Sequence, residues 1–163
     1  MKIFGLAGYS GAGKTTLIKP LLPALITRGI KVSTIKHAHH NFDVDKSGKD
    51  SYTHRESGAS EVLVSGGKRW ALMHELREEE EPKLDFLLSK ITPVDLVLVE
   101  GFKKDIHPKL EIHRKANGKD RLRGIIPNIV ALASDGNRDT DIPSFDLNDI
   151  EGIADFIISY NCL

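Results

Sequence analysis

Apolar residues in this chain fall into short blocks, separated by glycine-rich or charged breaks. Lys2-Ile-Phe-Gly-Leu-Ala7 reads as a buried strand running into a glycine loop, Gly8-Tyr-Ser-Gly-Ala-Gly13. From Lys14 to about Arg28 the period becomes helical, with Leu17, Leu21 and Leu25 on one stripe and Gly29 placed to stop it. Pro20 and Pro23 inside that stretch predict a bent or locally loosened helix. Lys31 to Lys36 is a second strand, so the opening is a βαβ unit with parallel strands and a right-handed crossover.

Past a polar segment, Asp50 to about Ser57 predicts a short helix closed by Gly58. Glu61–Val64 and Arg69–Met73, joined by Ser65-Gly-Gly-Lys68, predict a β-hairpin over about 61–73. The four acids Glu78 to Glu81 read as a solvated edge. Lys83 to Ile91 is a helix, and Val94 to Glu100 is the strongest buried strand of the chain. Leu110–His113 and Ile129–Ser134 add strands, and Asp149–Tyr160 adds an amphipathic helix that Asn148 or Asp149 can cap. The pattern gives one α/β domain over residues 1–163: a mostly parallel sheet with flanking helices and an added hairpin.

With 163 residues, 40% of them apolar, the chain can bury an ordinary core. Its 23 basic and 23 acidic residues cancel, which argues against general nucleic-acid binding, because that needs a surplus of cations. The cancellation is uneven: residues 103–123 carry +5 and residues 124–163 carry −6. No apolar run approaches the roughly 18 residues of a membrane span. Cys162, the one cysteine, has no internal partner, so a reducing, cytoplasmic setting is expected.

Gly8 to Thr15 matches G-x-x-x-x-G-K-[ST]. Glycines let successive backbone N–H groups turn inward toward phosphate oxygens, and the following helix adds its positive end. Lys14 then reaches the β and γ phosphates and the Thr15 hydroxyl takes a place on Mg²⁺. A chance glycine-rich turn is the competing reading; the position between strand and helix selects phosphate binding. A second Mg²⁺ carboxylate is expected at the end of a neighbouring strand. Asp95 and Glu100 bracket one strand and lie about 16 Å apart at 3.3 Å per residue. Ligands collect at carboxyl ends of parallel strands, which selects Glu100 and leaves Asp95 at the far rim.

The segment Lys36 to Asp45 follows the second strand and admits three readings. His37, His39 and His40 with Asp43 and Asp45 are metal-ligand types, although adjacent histidines diverge and cysteine is missing. Alternatively the segment senses the γ phosphate or Mg²⁺ through Asp45 or Asp43, or it is a polar surface loop. Ala131-Leu-Ala-Ser-Asp135 ends a buried strand with a carboxylate, which suits the adjacent N1–H and N2–H₂ donors of guanine. The Asn-Lys-x-Asp guanine motif is absent, and Asp135-Gly136 is equally a turn pair.

Together, Gly8-Tyr-Ser-Gly-Ala-Gly-Lys-Thr-Thr16, Lys36-His-Ala-His-His40, Phe42-Asp-Val-Asp45, Gly48-Lys-Asp-Ser-Tyr52 and Leu98-Val-Glu-Gly-Phe-Lys103 resemble the MobB family. These are the molybdopterin-guanine dinucleotide biosynthesis B proteins. The glycine loop is generic to nucleotide binders, whereas the histidine–aspartate and Glu-Gly-Phe-Lys stretches are more particular. Ser47 stands where relatives are expected to carry proline.

The resemblance implies a P-loop NTPase fold and a GTP- and Mg²⁺-binding homodimer of the cytoplasm. It also implies an adapter for the guanylyltransferase of molybdenum cofactor biosynthesis, with molybdopterin or its guanine dinucleotide nearby and slow GTP hydrolysis at most. Residue by residue, it puts Gly11, Ala12, Gly13, Lys14, Thr15 and Thr16 on the phosphates. It puts Thr15 and Glu100 on the metal. To these the residues themselves add Asp45 as a candidate metal ligand and Asp135 as a candidate base contact. The basic run 103–123 adds a candidate seat for an anionic pterin or an acidic partner.

The alternative is an ATP-dependent small-molecule kinase, with Arg121 and Arg123 as a mobile phosphoryl-clamping lid. A third reading, compatible with the first, makes the hairpin a dimer interface with Trp70 as anchor; Trp70 suits a core position equally.

Overall fold

The computed structural model describes residues 1–38, 42–136 and 141–163. The chain divides into two units, one formed by Met1–His37 with Leu88–Leu163 and the other by Ala38–Leu87.

In the first unit the strands are β1 (Lys2–Ala7), β2 (Val32–Lys36), β5 (Leu96–Glu100), β6 (Lys109–His113), β7 (Ile129–Ser134) and β8 (Ser144–Phe145). They form one parallel sheet in the order β2-β5-β1-β6-β7-β8. β8 was not anticipated, because two residues carry no readable alternation. Alternation sorts the other side chains onto two faces. Phe4, Leu6, Leu96, Leu98, Leu110, Ile112, Ala131 and Ala133 form one core with the helices α1 (Lys14–Thr27) and α4 (Ile150–Asn161). The opposite face of β6 carries Lys109 and Glu111, both almost wholly buried.

α1 runs through both prolines as one helix and ends at Gly29, whose φ of +85° suits glycine. Asp149, rather than Asn148, caps α4: its carboxylate accepts from Gly152 N at 3.0 Å. Arg28, at the end of α1, ties the two helices by donating to Glu151 at 2.5 Å and Asp155 at 2.9 Å.

The buried polar groups of the second face hold loops rather than strands. Glu111 accepts from Leu122 N at 2.7 Å and from Arg123 N at 3.1 Å. Lys109 Nζ donates to the carbonyls of Asp105, His107 at 2.8 Å and Pro127 at 3.2 Å. Lys109 therefore contributes nothing to a basic surface, although it counted toward the +5 of its segment. Gly5 is where this layer comes closest to the sheet: a Cβ there would sit 2.6 Å from His107 Nε2 and 2.7 Å from Lys109 Cγ.

His107 is 8% exposed and both ring nitrogens are without hydrogen-bond partners. Burial, with the Lys109 ammonium alongside, pulls its imidazole from 6.5 down to about 4. Between those values the unfolded chain binds more protons than the folded one, so stability rises with pH. Acidification from pH 7 to pH 4 is expected to cost about 2–3 kcal/mol through this residue alone. Urea unfolding at several pH values checks it. His107→Leu should flatten the profile, and an unchanged profile would assign the acid lability elsewhere.

The second unit contains α2 (Asp50–Glu56) and a hairpin of β3 (Glu61–Gly66) and β4 (Arg69–His74). The helix α3 (Leu84–Ser89) lies at the boundary between the units. Hairpin register sets Leu63 opposite Leu72 and Ser65 opposite Trp70. Leu63, Leu72 and Trp70 thus share a face; they are 62%, 46% and 66% exposed, so Trp70 is not a core residue.

Candidate phosphate-binding site

The glycine loop leaves β1 at Gly8 and enters α1 at Lys14. Gly11 and Gly13 take φ values of +78° and +98°, open to glycine at little cost. Gly8 is required sterically, since a Cβ would fall 2.7 Å from the Ile112 carbonyl oxygen. Ala12 serves the loop itself: it is buried, and its N–H bonds Tyr9 O at 3.1 Å.

No side chain caps α1, and its first turn carries no acidic residue. Its leading N–H groups thus keep their positive end for an anion. Thr15 and Thr16 are exposed on that turn. Lys14 Nζ bends back over the loop to Gly8 O at 3.0 Å and Tyr9 O at 3.1 Å.

Register brings Glu100 beside Leu6 on one side and Lys36 on the other, one residue short of the end of β1. Its side chain is 14% exposed, with Lys36 Nζ at 3.9 Å. Partial burial lowers the Lys14 ammonium below the usual lysine range; Glu100 opposes this, and Lys103 and Lys36 add to it. Lys103 also sits 5.5 Å from the ring centroid of Tyr9. Asp95 lies at the opposite rim, where its carboxylate accepts from Lys31 N at 2.8 Å.

Glu100 is followed by a tight segment. Gly101 has φ +103°, and a Cβ there would overlap His37 Cβ at 2.4 Å. Phe102 adopts φ +46° and stacks on His37 with ring centroids 4.7 Å apart. His37 N bonds Glu100 O at 2.8 Å, so His37 serves the backbone beside Glu100. His39 and His40 lie outside the described residues.

The other flank of the loop is walled by the segment after β6, which sequence reasoning flagged only as basic. Asn117 Nδ2 donates to Ser10 O at 3.0 Å, and its Oδ1 would meet a Cβ on Gly11 at 3.0 Å. Arg114 Nη2 lies 3.1 Å from where a Gly13 Cβ would stand. Asp135 anchors this wall: one oxygen accepts from Lys115 N at 2.7 Å and the other faces Arg114 Nη1 at 3.9 Å. The Asp135 carboxylate thus serves the segment after β6 rather than a local Asp-Gly turn, where Gly136 N–H bonds Ser134 Oγ at 3.0 Å instead.

Asp45 belongs to the second unit. Its Oδ1 accepts from Ser51 Oγ at 2.9 Å, and its Oδ2 lies 4.0 Å from Arg55 Nε. Arg55 also binds Asp43 at 2.7 Å and Glu75 at 3.5 Å. The hydrogen bond to Asp43 foremost raises the Arg55 guanidinium above its usual value. Among the described residues no three His, Cys, Asp or Glu side chains form a metal-binding group. None of the described helices is long and apolar enough to cross a membrane.

A parallel sheet with a glycine loop between β1 and α1, and a carboxylate closing the neighbouring strand, defines a protein of the P-loop class. The chain belongs to the MobB family, molybdopterin guanine dinucleotide synthesis protein B, whose model matches residues 3–135. It is 45% identical over 161 residues to a molybdopterin-guanine dinucleotide biosynthesis adapter protein of Escherichia coli, covering 97% of this chain and 92% of that one. A Haemophilus influenzae protein of the same name is 46% identical over 160 residues, covering 95% and 86%. A crystal structure of molybdopterin-guanine biosynthesis protein B superposes with a TM-score of 0.79 at 29% identity, covering 97% of this chain and 99% of that one. A MobB homologue from Bacillus stearothermophilus gives 0.74 at 25%, covering 99% of each chain.

Proposed function

We propose that this chain binds GTP with Mg²⁺ on the Gly8–Thr16 loop and acts as an adapter for the guanylyltransferase of molybdopterin guanine dinucleotide biosynthesis. The observation that carries the reading is the uncapped start of α1, with Lys14 folded over the loop and Glu100 beside it. Gly11, Gly13, Lys14, Thr15 and Thr16 take the phosphates. Mg²⁺ suits the donors present, a hydroxyl on Thr15 and a carboxylate on Glu100, because hard cations take oxygen ligands. Bound there, the ion neutralises charge on the terminal phosphates. Asp45 remains a candidate ligand through Oδ2, which accepts no hydrogen bond, whereas Oδ1 is held by Ser51.

Asp135 reads guanine N1–H and N2–H₂ through its outward oxygen in this proposal. Hydrolysis is slow: the chain contains no glutamine to orient an attacking water. Turnover above about 1 per second without a partner would contradict an adapter role. The kinase alternative needs a hinged lid at Arg121 and Arg123. Arg123 is instead held by its N–H on buried Glu111, and its Nη1 lies 3.9 Å from Asp141. A homodimer through the exposed Leu63–Leu72–Trp70 face completes the proposal, and a monomer by light scattering at micromolar concentration would remove that part.

Calorimetric titration with non-hydrolysable GTP and ATP analogues, with and without Mg²⁺, tests nucleotide binding. Lys14→Ala is expected to weaken the guanine analogue at least tenfold, the loss of one charge-assisted phosphate contact. Equal or tighter binding of the adenine analogue would overturn the guanine reading.

A further inference from the structure

Three ammonium groups gather at the mouth of the glycine loop, on the side of β5. Lys14 opens α1, Lys36 ends β2, and Lys103 follows β5. Lys103 and Lys36 both lower the proton affinity of Lys14, so their charges lie close enough to oppose it. Among the described residues, Glu100 is the one carboxylate that acts on Lys14 in the opposite sense. Like charges held together at a partly buried site repel, and a polyanion placed among them relieves the repulsion.

Two of the three have protein acceptors. Lys14 donates to the carbonyls of Gly8 and Tyr9, and Lys36 faces Glu100 at 3.9 Å. Lys103 pairs with no carboxylate among the described residues; its Nζ lies 5.5 Å from the ring centroid of Tyr9, the second residue of the loop. A ring face holds a cation in place without neutralising it. The backbone between Glu100 and Lys103 is specialised too. Gly101 has φ +103° and Phe102 has φ +46°, with Phe102 fixed by its stack on His37. A non-glycine residue in the left-handed region is uncommon, and such positions gather at ligand clamps.

The position of Lys103 along a bound phosphate chain follows from that of Glu100. The uncapped start of α1 serves the inner phosphates. A divalent ion on Thr15 and Glu100 would bridge the last two phosphates of a triphosphate. A cation that arrives from the Glu100 side therefore meets the terminal one.

We infer that Lys103 binds the terminal phosphate of a nucleoside triphosphate from the β5 side and makes the loop prefer triphosphate to diphosphate. The inference rests on the phosphate-site reading above and adds to it a specificity-determining residue outside the glycine loop.

Calorimetry on the full chain with Mg²⁺ compares a non-hydrolysable GTP analogue with GDP. The wild type is expected to bind the triphosphate analogue at least tenfold more tightly. Two neutral variants, Lys103→Met and Lys103→Gln, are each expected to weaken the triphosphate analogue about tenfold, the loss of one charge-assisted contact, while GDP stays within twofold. Lys103→Arg keeps a cation over the Tyr9 ring and should stay within threefold of the wild type for both ligands. Lys103 is only half-buried, so the melting temperature should hold in all three. Equal weakening of both ligands by the neutral variants would reduce Lys103 to one contributor to the general field and overturn the inference. Unchanged binding of the triphosphate analogue in both, or a wild type that binds the two nucleotides equally, also overturns it; each of these outcomes leaves the phosphate site standing. A wild type that binds neither nucleotide removes the phosphate-site reading itself, and the inference falls with it.

Discussion

Lys109→Met is expected to lower the free energy of unfolding by about 3 kcal/mol, although it replaces a buried charge with an apolar side chain of similar length. Exchange of a whole buried ion pair for apolar residues is often neutral. Here the acceptors are backbone carbonyls of Asp105, His107 and Pro127, which stay in place when the ammonium is gone. Each bond from a charged donor is worth roughly 1.5–3 kcal/mol net, and relief of the lysine's own desolvation returns part of the sum. Burial does push the Lys109 ammonium below its usual value, with Asp105 opposing, so that relief is the favourable part of the exchange. Urea denaturation measures the change. A second reading separates this account from simple loss of packing. Without the neighbouring ammonium, the His107 imidazole should rise toward 6.5, and the acid sensitivity of the variant should shrink. A loss under 1 kcal/mol would mean that the carbonyls find other donors.

Gly101→Ala is expected to cost about 3 kcal/mol and to disturb Glu100 as well. Two separate penalties act. A residue with a Cβ at φ +103° is strained by roughly 1–3 kcal/mol. The added carbon also overlaps His37 Cβ, which is held close to its backbone and cannot swing away, and overpacking adds roughly 1–3 kcal/mol. Gly29→Ala isolates the first penalty, because Gly29 has φ +85° and nothing within 4 Å of its missing Cβ. The difference between the two variants in chemical denaturation reports the overlap alone. Equal losses would show that His37 yields freely, and then its stacking on Phe102 does not fix the backbone beside Glu100.

Most of the sheet was legible from the chain, since its inner strands are apolar runs bounded by glycine, proline or charge. The placement of Glu100 and Asp95 at opposite rims needed only strand direction, and Asp95 holds Lys31 N at its own rim. What escaped was whatever depends on pairings distant in sequence. β8 exists because two residues meet β7, not because of any local pattern. Lys109 and Glu111 look like surface charges until the alternation of β6 turns them under the loops that they bind. Asn117 is an ordinary loop asparagine whose contact with Ser10 spans more than a hundred residues. Trp70 was ambiguous for the same reason, since a hairpin's sequence does not say which of its faces is covered.

The order of strands across the sheet has a thermodynamic corollary. Glu100 and Lys36 end β5 and β2, whereas the Leu147–Asn148 turn follows β8, four strand spacings from β5. At about 4.8 Å per spacing, those two ends lie roughly 19 Å apart across the sheet. Changes of stability made at residues that far apart add rather than couple. Substitutions at Glu100 and at Asn148 should therefore combine as independent free energies of unfolding. A sheet so arranged can be altered at one edge without resetting the contribution of the other.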